Sequence, residues 1–315
     1  MKNNPFINLI PLLNNSLNLE LEKLPKKYQA ILTEYLIPKV DDVPLETLVI
    51  DLNAKIAQML SINRVKVESS LIETGDKTTF PNFYGIIFLP SGEGKDKPIQ
   101  IINKNLMKNI NVDFYERSKF YLENAKREIE EKAEELYPDS KIKRQEYKAE
   151  NRPYGLTKEI KTGTAEGLES ARKAFQKAGF GGTFFKNGEF ADYIIATDKS
   201  SIEFLSLINE IYDFGDSDPK IIKSEKDTAP ILDVPSNMLV HSSISGLVEG
   251  KGRERLLDFL NRGNARRSFL AYPILEQYKE EDFSLIVDKI MERKKNKKTL
   301  RKKNTKSHTL TVHAQ

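Results

Sequence analysis

Cysteine is absent from this chain and histidine nearly so, at positions 241, 308 and 313 only. Without thiols there is no disulfide framework and no thiolate zinc site, and three scattered histidines do not make a metal cluster. Long apolar runs are missing as well: nothing approaches the about eighteen residues that a membrane span requires. Residues 5–13 are apolar but few, interrupted by prolines and without a small-residue cleavage site, so they do not read as a signal peptide. The expectation is a soluble, cytoplasmic protein with no membrane partner.

Charge of one sign is scarce overall. The net charge is +4, too small for whole-chain electrostatics to announce nucleic acid. Its distribution is uneven: residues 128–135 are acid-rich, and nine Lys and Arg residues crowd the fourteen positions 293–306. A basic tail of this kind either follows phosphates or is a disordered, solubilising end. What the chain does have is apolar residue enough, 39% of 315, for one large α/β domain with appendages or for two modest domains.

The chain is organised around residues 81–96. An aromatic and β-branched run, Phe83-Tyr84-Gly85-Ile86-Ile87-Phe88, stops abruptly at Ser91-Gly92-Glu93-Gly94-Lys95-Asp96. This reads as a buried strand feeding a phosphate-binding loop. Gly92 and Gly94 let the backbone curl so that N–H groups point inward, and Lys95 sets a positive charge on the outer phosphates. Leu89 occupies the first glycine position of the general Gly-x-x-x-x-Gly-Lys-Ser/Thr pattern, and Asp96 stands where a hydroxyl residue binds magnesium. The competing reading is a glycine-rich surface turn.

Other segments can be placed around that loop. Leu45, Leu48, Leu52, Ile56 and Leu60 keep helical spacing in a lead-in over residues 1–65. Residues 97–111 continue from the loop as a helix, with Pro98 confined to its first turn. A densely charged helical segment follows to about residue 150, with Phe120, Ala125, Ile129, Ala133 and Leu136 as a narrow apolar stripe and a break at Pro138; it reads as a solvated helix or a hairpin arm. A helix opens at Thr164. Thr183-Phe184-Phe185 forms a second strand running towards Glu189, and residues 237–241 form a third, followed by Ser242 and Ser243. His241 reads as a half-buried strand residue, since no carboxylate partner can be assigned to it. An acid closing a strand orients water or a hydrated magnesium ion, a role for Glu189. Ser242 or Ser243, at the neighbouring tip, would touch the terminal phosphate. Arg266 and Arg267 form either a clamp for spreading phosphoryl charge or an ordinary surface pair.

Taken in order, residues 83–96, 163–168, 185–190 and 263–269 resemble the helicase-like phosphate-loop NTPases associated with phage, plasmid and prophage primases, over about residues 75 to 275. The resemblance implies an α/β P-loop NTPase core, RecA-like or AAA+-like, using ATP and Mg2+. It also implies a homo-oligomeric ring acting on single-stranded DNA in replication, with a primase as a candidate partner. On that reading Ser91, Gly92, Glu93, Gly94, Lys95, Asp96 and Ser242 bind nucleotide, and Asp96 and Glu189 lie at magnesium. Glu189 polarises the attacking water, and Arg266 or Arg267 completes an active site, that of the neighbouring subunit. The family's second strand usually ends in Asp-Glu, whereas here Gly188 precedes Glu189. The alternative is therefore a catalytically degenerate nucleotide-binding or structural interaction protein. The expected organisation is a helical region at 1–65, an NTPase domain at 66–285 with a charged helical insert at about 113–150, and a basic, disordered tail at 286–315.

Overall fold

The computed structural model describes residues 20–40, 43–68, 78–89, 96–196, 198–212, 215–217, 229–243, 247 and 250–271. Residues 1–272 form one compact unit and residues 273–315 another. The second unit, and with it the basic tail, lies outside the described residues, as do Ser91, Gly92, Glu93, Gly94 and Lys95.

The lead-in begins with a 3-10 turn (Leu21–Lys23) and α1 (Lys26–Ile31), which widens into a π turn at Leu32–Leu36 and then tightens into a 3-10 turn at Ile37–Lys39. α2 (Leu45–Ile62) follows Pro44, whose fixed φ suits a helix entrance. α2 is buried on nearly every side. Leu48 and Leu52 pack on Leu32 and Leu36, while Ile50, Ala54 and Ala57 pack on strand residues Phe83, Ile87, Phe184 and Leu239. A helix with this pattern belongs in the interior, and α2 covers one face of the sheet. Its contact at Gly85 is close: a methyl group there would come within 2.5 Å of Ile50 Cγ2.

β1 (Val67–Glu68) and β2 (Thr78–Thr79) make a short antiparallel pair. Then come β3 (Tyr84–Phe88), α3 (Lys97–Asn105), α4 (Lys108–Leu136), α5 (Lys141–Glu150), α6 (Ala165–Ala178), β4 (Thr183–Asn187), α7 (Phe190–Ile195), α8 (Lys199–Glu210), β5 (Ser236–Ser242), α9 (Gly250–Phe259), the single turn α10 (Ala265–Arg267) and β6 (Ser268–Ala271). The fold is α/β, with an all-parallel four-stranded sheet in the order β4-β5-β3-β6. Every residue of β3 and β5 is buried, as expected of central parallel strands covered on both faces. No helix among the described residues is long and apolar enough to cross a membrane.

Strand order and helix placement explain each other. The chain steps from β3 outward to β4, then returns through β5 and crosses to β6 on the far side of β3. A right-handed crossover puts the connecting helix on opposite faces when the direction of travel reverses. Accordingly α3 places Ile99 beside Ile50 and Ile87, whereas α7, α8 and α9 pack Phe190, Phe204 and Leu256 on Tyr84, Ile86 and Val240 of the other face. In sheets with such a reversal the usual ligand position is at the carboxyl ends of the strands where it occurs, here β3 and β5.

α4, at 29 residues, is about 44 Å long and leaves the sheet to form a hairpin arm with α5. The break expected at Pro138 is present, with Ser140 accepting a hydrogen bond from the Lys143 N–H at the start of α5. The expected apolar stripe is not sealed: Ala133 is buried, but Phe120 and Leu136 are 66% and 50% exposed. The reason is length, since the ten-residue α5 pairs only with the outer part of the arm, through Tyr137 on Tyr147 and Lys148 with Glu130.

Candidate nucleotide site

Three strand ends converge at the carboxyl edge of the sheet. Phe88 and Ser242 are in register, and the Leu89 N–H donates to the Ser242 carbonyl at 3.0 Å. Asp96 precedes α3 with Pro98 in the first turn behind it, so its carboxylate stands at the helix entrance, 69% exposed. Asn187 ends β4, and its side-chain oxygen accepts the Glu189 N–H at 2.7 Å. This turn sets the exposed Glu189 at the entrance of α7. The fold thus brings Asp96, Glu189, Ser242 and Ser243 to one edge.

Arg266 and Arg267 are at the other. They directly precede β6, whose first residue is level with Tyr84 at the start of β3, and Arg267 donates to Asn209 of α8 at 3.1 Å. With about 3.3 Å of rise per strand residue, the length of the sheet separates them from the carboxyl edge. Asp96 and these arginines therefore do not meet within one chain.

Two expectations change on inspection of the edge. Ser242 is fully buried; its hydroxyl accepts from the Ala191 N–H at 2.9 Å and donates to the Ser243 carbonyl at 3.2 Å. It fastens β5 to the start of α7 and faces no solvent. His241 is buried rather than half-buried, and it does have a carboxylate partner: its Nε2 lies 3.1 Å from Asp51 Oδ1 of α2, with both side chains essentially inaccessible. The partner is 190 residues away in sequence, so only the fold could reveal it.

Beneath the edge, on the α2 side, lies a layer of buried charge. Lys55 donates to Glu159 at 2.6 Å and to Gln58 at 3.0 Å, and its ammonium stands 4.7 Å from the centre of the Phe184 ring. Burial pushes Lys55 down to about 8, even with Glu159 beside it. Burial likewise raises the Asp51 carboxyl, against the opposing pull of His241 and then of Lys186 and Lys55. Asp51 Oδ2 has no hydrogen-bond partner. Lys186 of β4 completes the layer, its side chain 18% exposed and its ammonium 3.9 Å from Asp96 Oδ1. Sequence reading missed Asp51, Lys55, Glu159 and Lys186. The available signal was Asp51 and Lys55, two charges one turn apart beside the apolar stripe of the lead-in.

The carboxylates expected at magnesium do not make a good set. Asp96 already faces an ammonium, Glu189 is on a separate turn, and Gly188 supplies no ligand. Among the described residues no three His, Cys, Asp or Glu side chains gather closely enough to hold a metal ion. Two open clefts, of about 880 Å³ beside α4 and α6 and about 480 Å³ beside α8 and α9, include none of the expected site residues. In comparisons with known protein families, with curated proteins and with solved structures, nothing matches this chain.

Proposed function

We propose that the chain binds a nucleoside triphosphate through a P-loop NTPase core, RecA-like or AAA+-like, and acts as an ATP-driven, helicase-like motor or replication accessory protein on single-stranded DNA. The observation that carries this reading is the strand order. In sequence residues 91–95 come after β3, Glu189 follows β4, and β5, with Ser242 at its end and Ser243 next, lies between the two strands. On this reading a phosphoryl group and the attacking water lie between the loop and an acid one strand removed from it.

On this reading Lys95 binds the outer phosphates and Glu189 orients the attacking water. Arg266 or Arg267 serves the nucleotide of an adjacent copy, because the arginines occupy the opposite edge of the sheet from Asp96. A ring is the assembly in which every site receives such an arginine.

One pair of observations favours a second reading, a nucleotide-binding protein without hydrolysis. A Cβ at Gly188 would meet nothing within 4 Å, so the missing carboxylate is not excluded by packing, and the Ser242 hydroxyl is sealed inside. The test is ATP binding together with phosphate release, with and without single-stranded DNA, for the wild type, Lys95→Ala and Glu189→Gln. The motor reading expects Lys95→Ala to lose binding at an unchanged melting temperature. It expects Glu189→Gln to bind but release phosphate about a hundredfold more slowly. Binding without release in the wild type selects the second reading. No binding at all removes both.

A further inference from the structure

We propose that the cleft between α4 and α6 binds single-stranded nucleic acid, stacking bases on Phe120 and Tyr154 and pairing phosphates with Arg152 and Lys177. This surface deepens the motor reading above by giving its strand a place to lie, and it contains no residue of the nucleotide site, so either can fail alone.

The cleft has a volume of about 880 Å³ and is bounded by α4, by the segment that follows α5 and by α6. Part of its lining is apolar and fixed: Phe180 is buried there, edge-on to Phe114 at 6.0 Å. Two further rings line it without being used by the fold. Phe120 of α4 is 66% exposed and Tyr154, just beyond α5, is 55% exposed, and among the described residues neither stacks on another ring. A single exposed apolar side chain is ordinary. Two exposed rings in one cleft offer faces on which any base can stack.

The same cleft holds cations that the fold does not neutralise. Arg152 and Lys177 are exposed and form no ion pair with a described residue. Arg117 contacts Asp113 at 3.3 Å, and its guanidinium lies over the Phe180 ring, 4.1 Å from the centre, a fixed plane of the kind that stacks on bases. Two carboxylates, Glu128 and Glu150, share the cleft. They sit towards the arm, each two residues from the Glu130–Lys148 contact that joins α4 to α5, whereas Arg117 is eleven residues back along α4, about 16 Å nearer its start. The end of the cleft at Arg117, Phe180 and Lys177 is therefore positive. An apolar helix laid in this cleft would leave Arg152 and Lys177 unpaired, and an acidic one would leave the exposed rings idle. A single strand uses both, phosphates on the cations and bases on the rings.

The experiment follows the fluorescence anisotropy of a labelled thymidine oligonucleotide, its uridine counterpart and an abasic strand of the same length, each titrated with the full chain in EDTA and without ATP. The proteins are the wild type, Phe120→Ala, Tyr154→Ala and Arg152→Ala/Lys177→Ala, each first shown to melt like the wild type. Each ring variant should weaken binding of a base-bearing strand roughly five- to a hundredfold, the range of one base–ring stack, and should leave the abasic strand unaffected. The double charge variant should weaken binding of all three and lower the log-log salt slope by roughly 1.4. A ring effect on the thymidine strand, the uridine strand or both supports the proposal and tells DNA from RNA as the source. Base-bearing strands bound equally well by the wild type and both ring variants place the contact elsewhere, as in the basic run at 293–306, and overturn it. So does a wild type that binds no strand, and so does polyglutamate bound as tightly as the oligonucleotides, which marks an acidic protein as the occupant. ATP binding, titrated separately, decides the nucleotide reading without bearing on this cleft.

Discussion

The two faces of the sheet are built on different principles. The face under α7, α8 and α9 is aromatic and dry: Phe185 meets Phe204 edge-on at 4.9 Å, Phe190 meets Phe259 at 5.5 Å, and Tyr193 lies against both Phe185 and Phe204. The face under α2 has an apolar layer of Ile50, Ala54, Ile87 and Leu239, interrupted by the Asp51–His241 and Lys55–Glu159 pairs. One face gains stability from area and ring geometry. The other holds ions at a desolvation cost that pairing only partly offsets. The charged face also carries Lys186 and α3, whereas the buried charge on the other side sits at α6, where the fully buried Arg172 donates to the Val234 and Gly215 carbonyls.

Substitutions can break this contrast. The largest effect should come from the aromatic face: Phe204 is fully buried among rings, and Phe204→Ala should cost about 3–5 kcal/mol through lost transfer energy and the cavity left behind, read by urea unfolding. A loss under about 1 kcal/mol would show that α8 is not a structural part of that core.

The charged face should reveal itself by pH. Lys55 is held at about 8 in the folded chain against an ordinary 10.5. Above 10.5 neither state carries the proton and its burial costs nothing. As pH falls from 10.5 towards 8 the unfolded chain is protonated first, and stability is lost. Wild type should therefore gain roughly 3 kcal/mol relative to Lys55→Met as pH rises from about 8 to 10.5. A flat difference across that window would mean that Lys55 is not desolvated.

A smaller and sharper comparison is made at neutral pH. Lys55→Met alone leaves the Glu159 carboxylate without its cation and should cost about 2 kcal/mol, a figure reduced from the fully buried case because Glu159 keeps 16% of its side-chain exposure. Lys55→Met with Glu159→Met should come within about 1 kcal/mol of the wild type. If the double variant is as unstable as the single one, the pair contributes through packing and not through charge.

The elements that could be read from the sequence were those whose signals are local. Apolar continuity marked the buried strands β3 and β5, Thr164 marked the start of α6, where it accepts from the Gly167 N–H, and Pro138 marked the break in the arm. The convergence of Asp96 and Glu189 on one edge follows from strand order, which local patterns leave open. What could not be read were pairings across the chain. Nothing near His241 in sequence points to Asp51, and nothing near Lys55 points to Glu159, 104 residues on. The burial of Ser242 depended on α7 folding back over β5, which a strand-tip serine does not announce.

The closeness of α2 to Gly85 decides where this protein can be cut. A chain shortened to begin at residue 66 would keep all four sheet strands together with Asp96, Glu189, Ser242 and both arginines. It would also lay bare Ile87 and Leu239, take Asp51 from His241 and take Lys55 from Glu159. Such a fragment should show no cooperative melt by circular dichroism, whereas a chain begun just before α1 should show one. The residues that look like a preface are part of the smallest unit able to stand alone.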